Sequence, residues 1–138
     1  MPRGVIEHKS RAQQINDFSG LRYGKITPTD VDLFIDFGNR IFVIGEIKYK
    51  DKPCSYGQYL AIERFVDRLA KTGDIKALMF VAEHDVYDTD SEVNVANCII
   101  REYRLGRVTR AVTLQKPRKK ITVKQLIDKF LKDNNYDY

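Results

Sequence analysis

The sequence has little of what several common enzyme chemistries require. Its 138 residues include two cysteines, two histidines and no tryptophan. Cys54 and Cys98 form neither a C-x-x-C pair nor a zinc-type spacing, and the lack of a third histidine argues against a zinc hydrolase. Nothing in the spacing supports a disulfide. We therefore expect a reducing, intracellular compartment.

Several motifs and segments are also missing. No G-x-x-x-x-G-K loop, no G-x-G-x-x-G loop and no Ser, His and Asp grouping with a familiar spacing occurs, so ATP use and acyl transfer have no support. The first residues, MPRGVIEHKS, lack the apolar centre of a signal peptide, and no apolar run has the length of a membrane span. We expect a soluble, cytoplasmic protein.

Charge is present in quantity and is unevenly distributed. The chain is 43% hydrophobic and 31% charged, which fits one core and a single domain over residues 1–138. Residues 101–132 hold eleven Lys/Arg and two acids, whereas the remainder of this +5 chain is net acidic. Such a segment is either a solvated face or a surface for a polyanion such as a nucleic acid. The predicted nucleic-acid-binding residues are Arg101, Arg104, Arg107, Arg110, Lys116, Arg118, Lys119 and Lys120.

The hydrophobic pattern predicts a mixed sheet flanked by helices. Apolar spacing and turn residues predict helices at 5–18, 56–72 and 122–132, and strands at 31–37, 40–50, 76–83, 97–105 and 107–114. Gly38-Asn39 is typical of a tight hairpin turn. The connection from strand 40–50 through a helix to strand 76–83 has the length of a crossover between parallel strands. We therefore expect the α/β class, of the mixed α+β kind.

Three polar residues stand out in this predicted hairpin. Asp32 begins the first strand, while Glu46 and Lys48 end the second, in the run IFVIGEIKYK. A hairpin that turns at 38–39 places residues near 32 beside residues near 45–46. Residues two apart on a strand point the same way, about 6.7 Å apart. The three side chains are therefore expected to meet at one end of the sheet.

Two interpretations of this cluster remain open. A Glu46–Lys48 pair at a strand end is often a surface ion pair worth about 0–1 kcal/mol. Alternatively, two converging carboxylates repel each other unless a cation lies between them, and Mg²⁺ prefers oxygen ligands. A lysine alongside can orient an attacking water or meet the charge that develops on a phosphate. That combination suits hydrolysis of a phosphodiester.

With this cluster, the chain resembles the PD-(D/E)xK, or restriction-endonuclease-like, nuclease superfamily. The resemblance covers roughly residues 5–83 and rests on Asp32, the E-x-K of Glu46 and Lys48, and a following helix that carries a glutamine. It implies an αβββαβ core, in which residues 21–26 would supply the first hairpin strand. The basic hairpin and C-terminal helix, residues 97–132, lie outside this core.

The resemblance also implies residue roles. Asp32 and Glu46 would bind Mg²⁺, or Mn²⁺ in its place, together with the backbone carbonyl of Ile47, and Lys48 would be the catalytic lysine. Glu7 on the first helix is a weaker candidate ligand. The proline of PTD precedes Asp30 rather than Asp32, so either acid remains a candidate, and strand alternation favours Asp32.

Gln58 has two interpretations that are compatible with each other. Glutamines on this helix reach the active site in several members of the superfamily, which makes Gln58 a candidate catalytic residue. Ser55-x-x-Gln58 is also a capping box, in which Ser55 caps the helix and Gln58 reaches back to it.

The resulting expectation is a Mg²⁺-dependent deoxyribonuclease. The absence of a separate reading module favours an endonuclease directed by DNA structure rather than by sequence, and a homodimer would present two sites to two strands. The alternative is a nucleic-acid-binding or protein-interaction module that retains the fold without catalysis.

Overall fold

The computed structural model describes residues 4–7, 9–107 and 114–137. Across these residues the chain forms three α-helices, four β-strands and one short 3₁₀ turn. In chain order they are α1 (Lys9–Gln14), β1 (Leu33–Phe37), β2 (Ile41–Tyr49), α2 (Tyr56–Ala70), β3 (Lys76–His84), the 3₁₀ turn (Val95–Asn97), β4 (Ile99–Leu105) and α3 (Val123–Asp133). No helix in this part of the chain is long and apolar enough to cross a membrane.

The strands of the described residues form one mixed sheet in the order β1-β2-β3-β4. β1 and β2 form an antiparallel hairpin, and β3 and β4 also pair antiparallel. β2 and β3 are parallel and are joined through α2. The mixed α/β class and the parallel crossover predicted from the sequence are therefore confirmed.

The hairpin turn has the conformation that its two residues favour. Gly38 and Asn39 both have φ of 62°, and the Arg40 N–H donates to the Phe37 carbonyl at 3.2 Å. Positive φ at both central residues is typical of the tight turns that match strand twist. Three residues, 38–40, separate the first paired residues, so the register runs from Phe37 opposite Ile41 to Leu33 opposite Gly45.

The sheet has two different faces. On one face, Ile41, Val43, Leu78 and Phe80 pack in the main core with apolar side chains of α3. On the other, a smaller cluster joins β2 and β3 to α2; it contains Ile44, Ile62, Val66, Ala77 and Met79. β2 is thus covered on both faces, as its nearly continuous apolar run predicts.

Gly45 shows how closely the central strands pack. A Cβ atom at this position would lie 2.2 Å from Cζ of Phe80. The Phe80 ring therefore occupies the space above the β2 backbone. Any larger residue at position 45 would displace the core next to Glu46.

Both longer helices begin with a capping box. Ser55 and Gln58 cap α2 as predicted, and Thr122 and Gln125 do the same for α3. In each box the hydroxyl accepts from the backbone of the third helical residue, whose side chain accepts from the cap residue in turn. Gly73, with φ of 84°, follows the end of α2.

The N-terminal predictions are partly wrong. The helix expected over 5–18 is confined to Lys9–Gln14, and residues 21–26 form only an isolated bridge between Tyr23 and Ile26, outside the sheet. Ile15 is 77% exposed and Ile26 is 71% exposed. Apolar spacing predicted the helix, and the family resemblance implied the strand. These exposed side chains do not pack into the core, and propensity alone does not sustain short elements.

The region after β4 departs from the predicted hairpin. Most of the strand predicted at 107–114 lies outside the described residues. The chain returns beside β4 at Gln115, whose N–H donates to the Tyr103 carbonyl at 2.8 Å, and a second bridge joins Thr122 to Ile99. Residues 115–122 therefore run antiparallel along the edge of β4. We call residues 116–120 the basic edge.

Candidate active site

The predicted residues converge where β1 begins, β2 ends and α2 begins. Leu33 lies opposite Gly45, so the preceding residue, Asp32, faces Glu46. The carboxylate of Asp32 accepts the Ile47 N–H at 2.8 Å through Oδ2, which fixes the start of β1 to the end of β2. Asp32 therefore belongs to this end of the sheet through both its position and its hydrogen bond.

Glu46 is the most unusual residue of the site. It is 2% exposed, and among the described residues its Oε1 has no hydrogen-bond partner. Burial raises the pKa of Glu46 to about 8, and hydrogen bonding with Asp32 and the charges of Asp32 and Asp30 act in the same direction, against Lys48. A carboxyl group buried beside other acids resists ionisation. Without a cation, Glu46 is a proton-holding acid at neutral pH.

Lys48 approaches Glu46 without neutralising it fully. Its Nζ lies 4.0 Å from Oε2 of Glu46 and donates to Oε1 of Gln58 at 3.2 Å. A surface ion pair, the simpler interpretation of the E-x-K, does not describe this geometry because Glu46 is buried. The ammonium is instead held between a carboxyl group and an amide oxygen.

Gln58 combines the two predicted roles. Its Oε1 accepts from Lys48 and also from the backbone N–H of Ser55 at 3.4 Å, while its own backbone N–H donates to the Ser55 hydroxyl at 3.2 Å. The residue that caps α2 thus also orients the lysine. The position of α2 relative to β2 is thereby coupled to the geometry of the site.

The choice between Asp30 and Asp32 is resolved in geometric terms. Asp32 faces Glu46 and bonds to β2, whereas Asp30 influences Glu46 through its charge. Both acids are exposed in the segment that leads into β1. The structure therefore places Asp32, rather than Asp30, beside the buried acid.

The backbone of Ile47 has the orientation expected for a ligand. Its N–H points toward β1, where it meets Asp32. The N–H and C=O of a strand residue point to the same side, so the carbonyl also faces the Asp32 side, beyond the last β1–β2 pair at Leu33 and Gly45. Two carboxyl groups and a main-chain carbonyl are thus available together.

These groups fit a hard divalent cation. Mg²⁺ is usually bound by one or two carboxylates and keeps several waters. The unpartnered Oε1 of Glu46 and the raised pKa both indicate a site whose negative charge lacks a partner within the described residues. Asp32, Glu46 and the Ile47 carbonyl would hold the ion.

Glu7 is not brought into this group. It is exposed in the segment before α1. Within residues 4–7, 9–107 and 114–137, no three His, Cys, Asp or Glu side chains converge in a way that would hold a metal. The prediction of a third acidic ligand from the first helix therefore gains no support.

The prediction that Arg104 belongs to a nucleic-acid-binding surface is wrong. Its side chain is 1% exposed and forms two hydrogen bonds with Asp67 of α2, at 3.1 and 2.9 Å. The Arg107 N–H donates to the same carboxylate at 3.1 Å. A buried guanidinium group cannot contact a phosphate backbone. Its role is to attach β4 to α2.

The remaining predicted basic residues divide into two groups. Arg101 is partly buried: its guanidinium group contacts Glu83 at 3.3 Å and donates to the carbonyls of Tyr49 and Lys52. The half-buried Arg107 follows β4, and Arg110 lies outside the described residues. The exposed members of the basic edge are Lys116, Arg118, Lys119 and Lys120.

Sequence reasoning missed the structural role of Arg101 and the place of Cys54 beside the site. Arg101 holds the loop between β2 and α2, a contact made possible by a bulge in the β3–β4 pairing after Val81. Cys54 donates its thiol to Oε1 of Gln58 at 3.4 Å, and burial raises the pKa of this thiol. The sequence carries no signal for the Arg101 contact, which depends on a bulge. The Cys54 contact joins residues four apart, and the capping box that fixes Gln58 could have indicated it.

Comparison with known proteins does not assign this chain to a family. No protein-family model, curated protein or solved structure matches the chain.

Proposed function

We propose that this chain is a Mg²⁺-dependent nuclease that hydrolyses phosphodiester bonds in DNA, and that it is a distant member of the PD-(D/E)xK superfamily. The observation that carries the proposal is the meeting of Asp32, Glu46, Lys48 and Gln58 at one end of the sheet. Burying a glutamate beside a second acid and a lysine makes the free energy of folding less favourable. Such an arrangement is typical of functional sites.

The order of elements supports the family assignment in outline. α1, the β1–β2 hairpin, α2 and β3 follow the order of an αβββαβ core that lacks its first hairpin strand. The parallel β2–β3 pair places the E-x-K on a central strand. This position of the E-x-K supports the proposal.

Each residue has a task that follows from its contacts. Bound Mg²⁺ supplies Lewis-acid activation of water and of the phosphate. Asp32 and Glu46 would hold the ion, and Glu46 would bind it in its ionised form. Lys48, held by Gln58 at 3.2 Å, directs its ammonium group toward the charge that develops on the phosphate.

Charge at the sheet edge supports a polyanionic substrate. The basic edge lies beside β4, three strand positions away from β2. At the usual strand spacing this is about 14 Å from the strand that carries Glu46 and Lys48. Contacts from lysines and arginines to phosphates carry no sequence information. We therefore propose cutting that is directed by DNA structure, and a homodimer as the form that would present two sites.

The test is a cleavage panel. Labelled single-stranded, duplex, flap and four-way DNA are incubated with the protein in Mg²⁺, Mn²⁺ or EDTA. Lys48→Ala is expected to lower the metal-dependent rate by about 10²–10³-fold, the usual effect of removing a group that stabilises developing charge. Lys71→Ala removes the same charge at the far end of α2 and is expected to cut like the parent.

Two results would contradict the proposal. If Lys48→Ala, freed of contaminants, cuts as fast as Lys71→Ala, the assigned site is wrong. If the parent binds DNA with a steep salt dependence but never cuts, the chain is a binding module. Calorimetry with Mn²⁺ separates these cases, because only the proposed site loses its metal heat in Asp32→Asn.

A further inference from the structure

A cavity of about 950 Å³ lies between the second half of β4, one side of α3 and the basic edge. Leu78, which lines it, is two residues before Phe80 on β3, so both side chains lie on the face covered by α3. A Cβ atom on Gly45 would meet Phe80, and the next side chain, Glu46, therefore points to the other face. The cavity is thus separate from the candidate active site, and its volume is typical of sites for small molecules.

The floor of the cavity is apolar and contains an aromatic residue. Tyr103 and Leu105 of β4 line it together with Leu126 and Phe130 of α3. The two α3 side chains belong to the main core, whereas Tyr103 is half-buried and Leu105 is 38% exposed. Pockets that combine such a floor with a few polar groups bind ligands that have an apolar or aromatic part. The floor therefore favours a ligand with a ring system.

The rim of the cavity is cationic. Five basic side chains line it: Lys76, Arg118, Lys119, Lys120 and Lys129. Among the described residues that line the cavity, Asp133 is the one acid, and its carboxylate is paired with Lys129 at 2.8 Å. Within the part of the chain that the structure describes, no carboxylate lies within ion-pair distance of the other four. The rim therefore attracts an anion.

We propose that this cavity binds a nucleoside di- or triphosphate, with the phosphate chain at the rim and the base on the floor. One phosphate monoester carries a charge of about −1.5 to −2 at pH 7, so the four unpaired cations match a chain of more than one phosphate. Bases stack on aromatic rings and on guanidinium groups, which Tyr103 and Arg118 supply. The inference goes beyond the proposed nuclease function and does not depend on it, because the two sites lie on opposite faces.

The combination of rim and floor distinguishes this ligand from other anions. The phosphates of a duplex need cations alone, since contacts to the DNA backbone involve no base. An inorganic polyphosphate likewise leaves Tyr103 and Leu105 without a partner. Binding alone is proposed, because the sequence has no G-x-x-x-x-G-K loop that would hold the phosphates for transfer.

The first experiment measures fluorescence anisotropy of N-methylanthraniloyl-ATP in about 0.15 M salt, where weak surface attraction is screened. EDTA is present, so that no metal ion can hold the phosphates at the candidate active site. Arg118→Gln combined with Lys119→Gln removes two exposed rim charges, and is expected to weaken binding tenfold or more because charge-assisted contacts to phosphate are lost. Arg64→Gln combined with Lys71→Gln removes the same residue types from exposed positions on and just after α2, and is expected to bind like the parent.

Competition by unlabelled compounds tests the floor. ATP is expected to displace the labelled nucleotide at about a tenfold lower concentration than sodium tripolyphosphate, which has no base to stack. Adenosine, which has no phosphate, is expected not to displace it. Tyr103→Leu keeps an apolar side chain but removes the ring, and is expected to make ATP and tripolyphosphate equal competitors. Tyr103→Phe keeps the ring and is expected to preserve the difference.

The outcomes separate this inference from the nuclease proposal. Equal binding by the Arg118 and Lys119 double variant and its α2 control overturns the cavity, as does equal displacement by ATP and tripolyphosphate in the parent. Loss of binding in Lys48→Ala also overturns it, because the nucleotide would then occupy the candidate active site. A parent that binds the nucleotide as described but never cuts DNA retains the cavity and loses the nuclease proposal.

Discussion

Two buried ionisable side chains lie on the same face of the sheet, and only one of them has a closely paired partner of opposite charge. Arg104 on β4 and Glu46 on β2 are 1% and 2% exposed. Arg104 forms a two-pronged pair with Asp67 at 3.1 and 2.9 Å, whereas Glu46 has its nearest cation, Lys48, at 4.0 Å. The first charge is matched by a fixed partner in the fold, and the second is not.

The difference shows what each end of this face is for. A bidentate Arg–carboxylate pair is geometrically specific and joins α2 to β4. Each group keeps one buried atom without a hydrogen-bond partner among the described residues, Oε1 of Glu46 and Nη1 of Arg104. The difference is that Arg104 has a carboxylate paired closely with it, whereas Glu46 has no closely paired cation and a raised pKa. The Arg104 pair therefore serves the fold, and the Glu46 end is the candidate site.

The largest expected effect breaks the matched pair. Asp67→Ala leaves the Arg104 guanidinium buried without its carboxylate, and we expect the free energy of unfolding to fall by about 3–5 kcal/mol. Urea denaturation followed by circular dichroism measures it. The control is Asp128→Ala, which removes an exposed i,i+4 pair with Lys124 and should cost about 0.5 kcal/mol or less. Equal losses in the two variants would show that burial gives the Arg104 pair no special weight.

The second prediction concerns the unmatched acid. The pKa of Glu46 is about 8 in the folded protein and 4.5 as its ordinary value, so the native state holds an extra proton between these limits. Its contribution to stability is fully present below about pH 4.5 and is lost as pH rises through about 8, a change on the order of a few kcal/mol. Denaturation in EDTA across this range measures the slope.

Substitution of Glu46 tests whether this residue causes the change of unfolding free energy with pH. Glu46→Gln cannot ionise, so its unfolding free energy should vary less with pH over this window than that of the parent. Asp85→Asn, in the exposed loop after β3, removes a carboxylate elsewhere and should keep the slope of the parent. Identical slopes for the parent and Glu46→Gln would refute the raised pKa.

The smallest expected effect separates capping from site geometry. Gln58→Ala and Gln125→Ala each remove the glutamine of a capping box, from α2 and α3 respectively, and each should lower stability by about 1 kcal/mol. Only Gln58→Ala releases Lys48, so only this variant should also slow metal-dependent cleavage, by about tenfold. If both variants cut at the same rate, Gln58 serves only to cap α2.

Local rules predict the hairpin and the cap well. Gly38-Asn39 predicts a tight turn at this place, and counting outward from it brings Asp32 close to residues 45 and 46. The observed pairing has one more residue at the turn, which places Asp32 opposite Glu46. Ser55 and Gln58 specify the start of α2. These features depend on residues that are neighbours in sequence or are paired through one tight turn. Their geometry is accordingly fixed by short-range chemistry.

Long-range packing explains the failures. Arg104 reads as one member of a basic segment, but its partner, Asp67, lies on a helix 37 residues earlier. Residues 21–26 read as a strand, yet they do not reach the sheet edge. In both cases the outcome depends on which distant surface is close enough to bury a side chain, and periodicity carries no such information.

The sequence by itself therefore determined the hairpin and the common face of Glu46 and Lys48, because alternation and turn chemistry act over a few residues. It left the partner of Asp32 open between residues 45 and 46, and a shift of one residue would turn Asp32 to the other face. The tertiary structure decided which charges are matched. Burial of Glu46, the reach of Gln58 from α2 to Lys48, and the withdrawal of Arg104 from the surface all depend on how α2 lies across the sheet. Desolvation and ion pairing are properties of that arrangement, and they alone turn an acid and a lysine at a strand end into a candidate site.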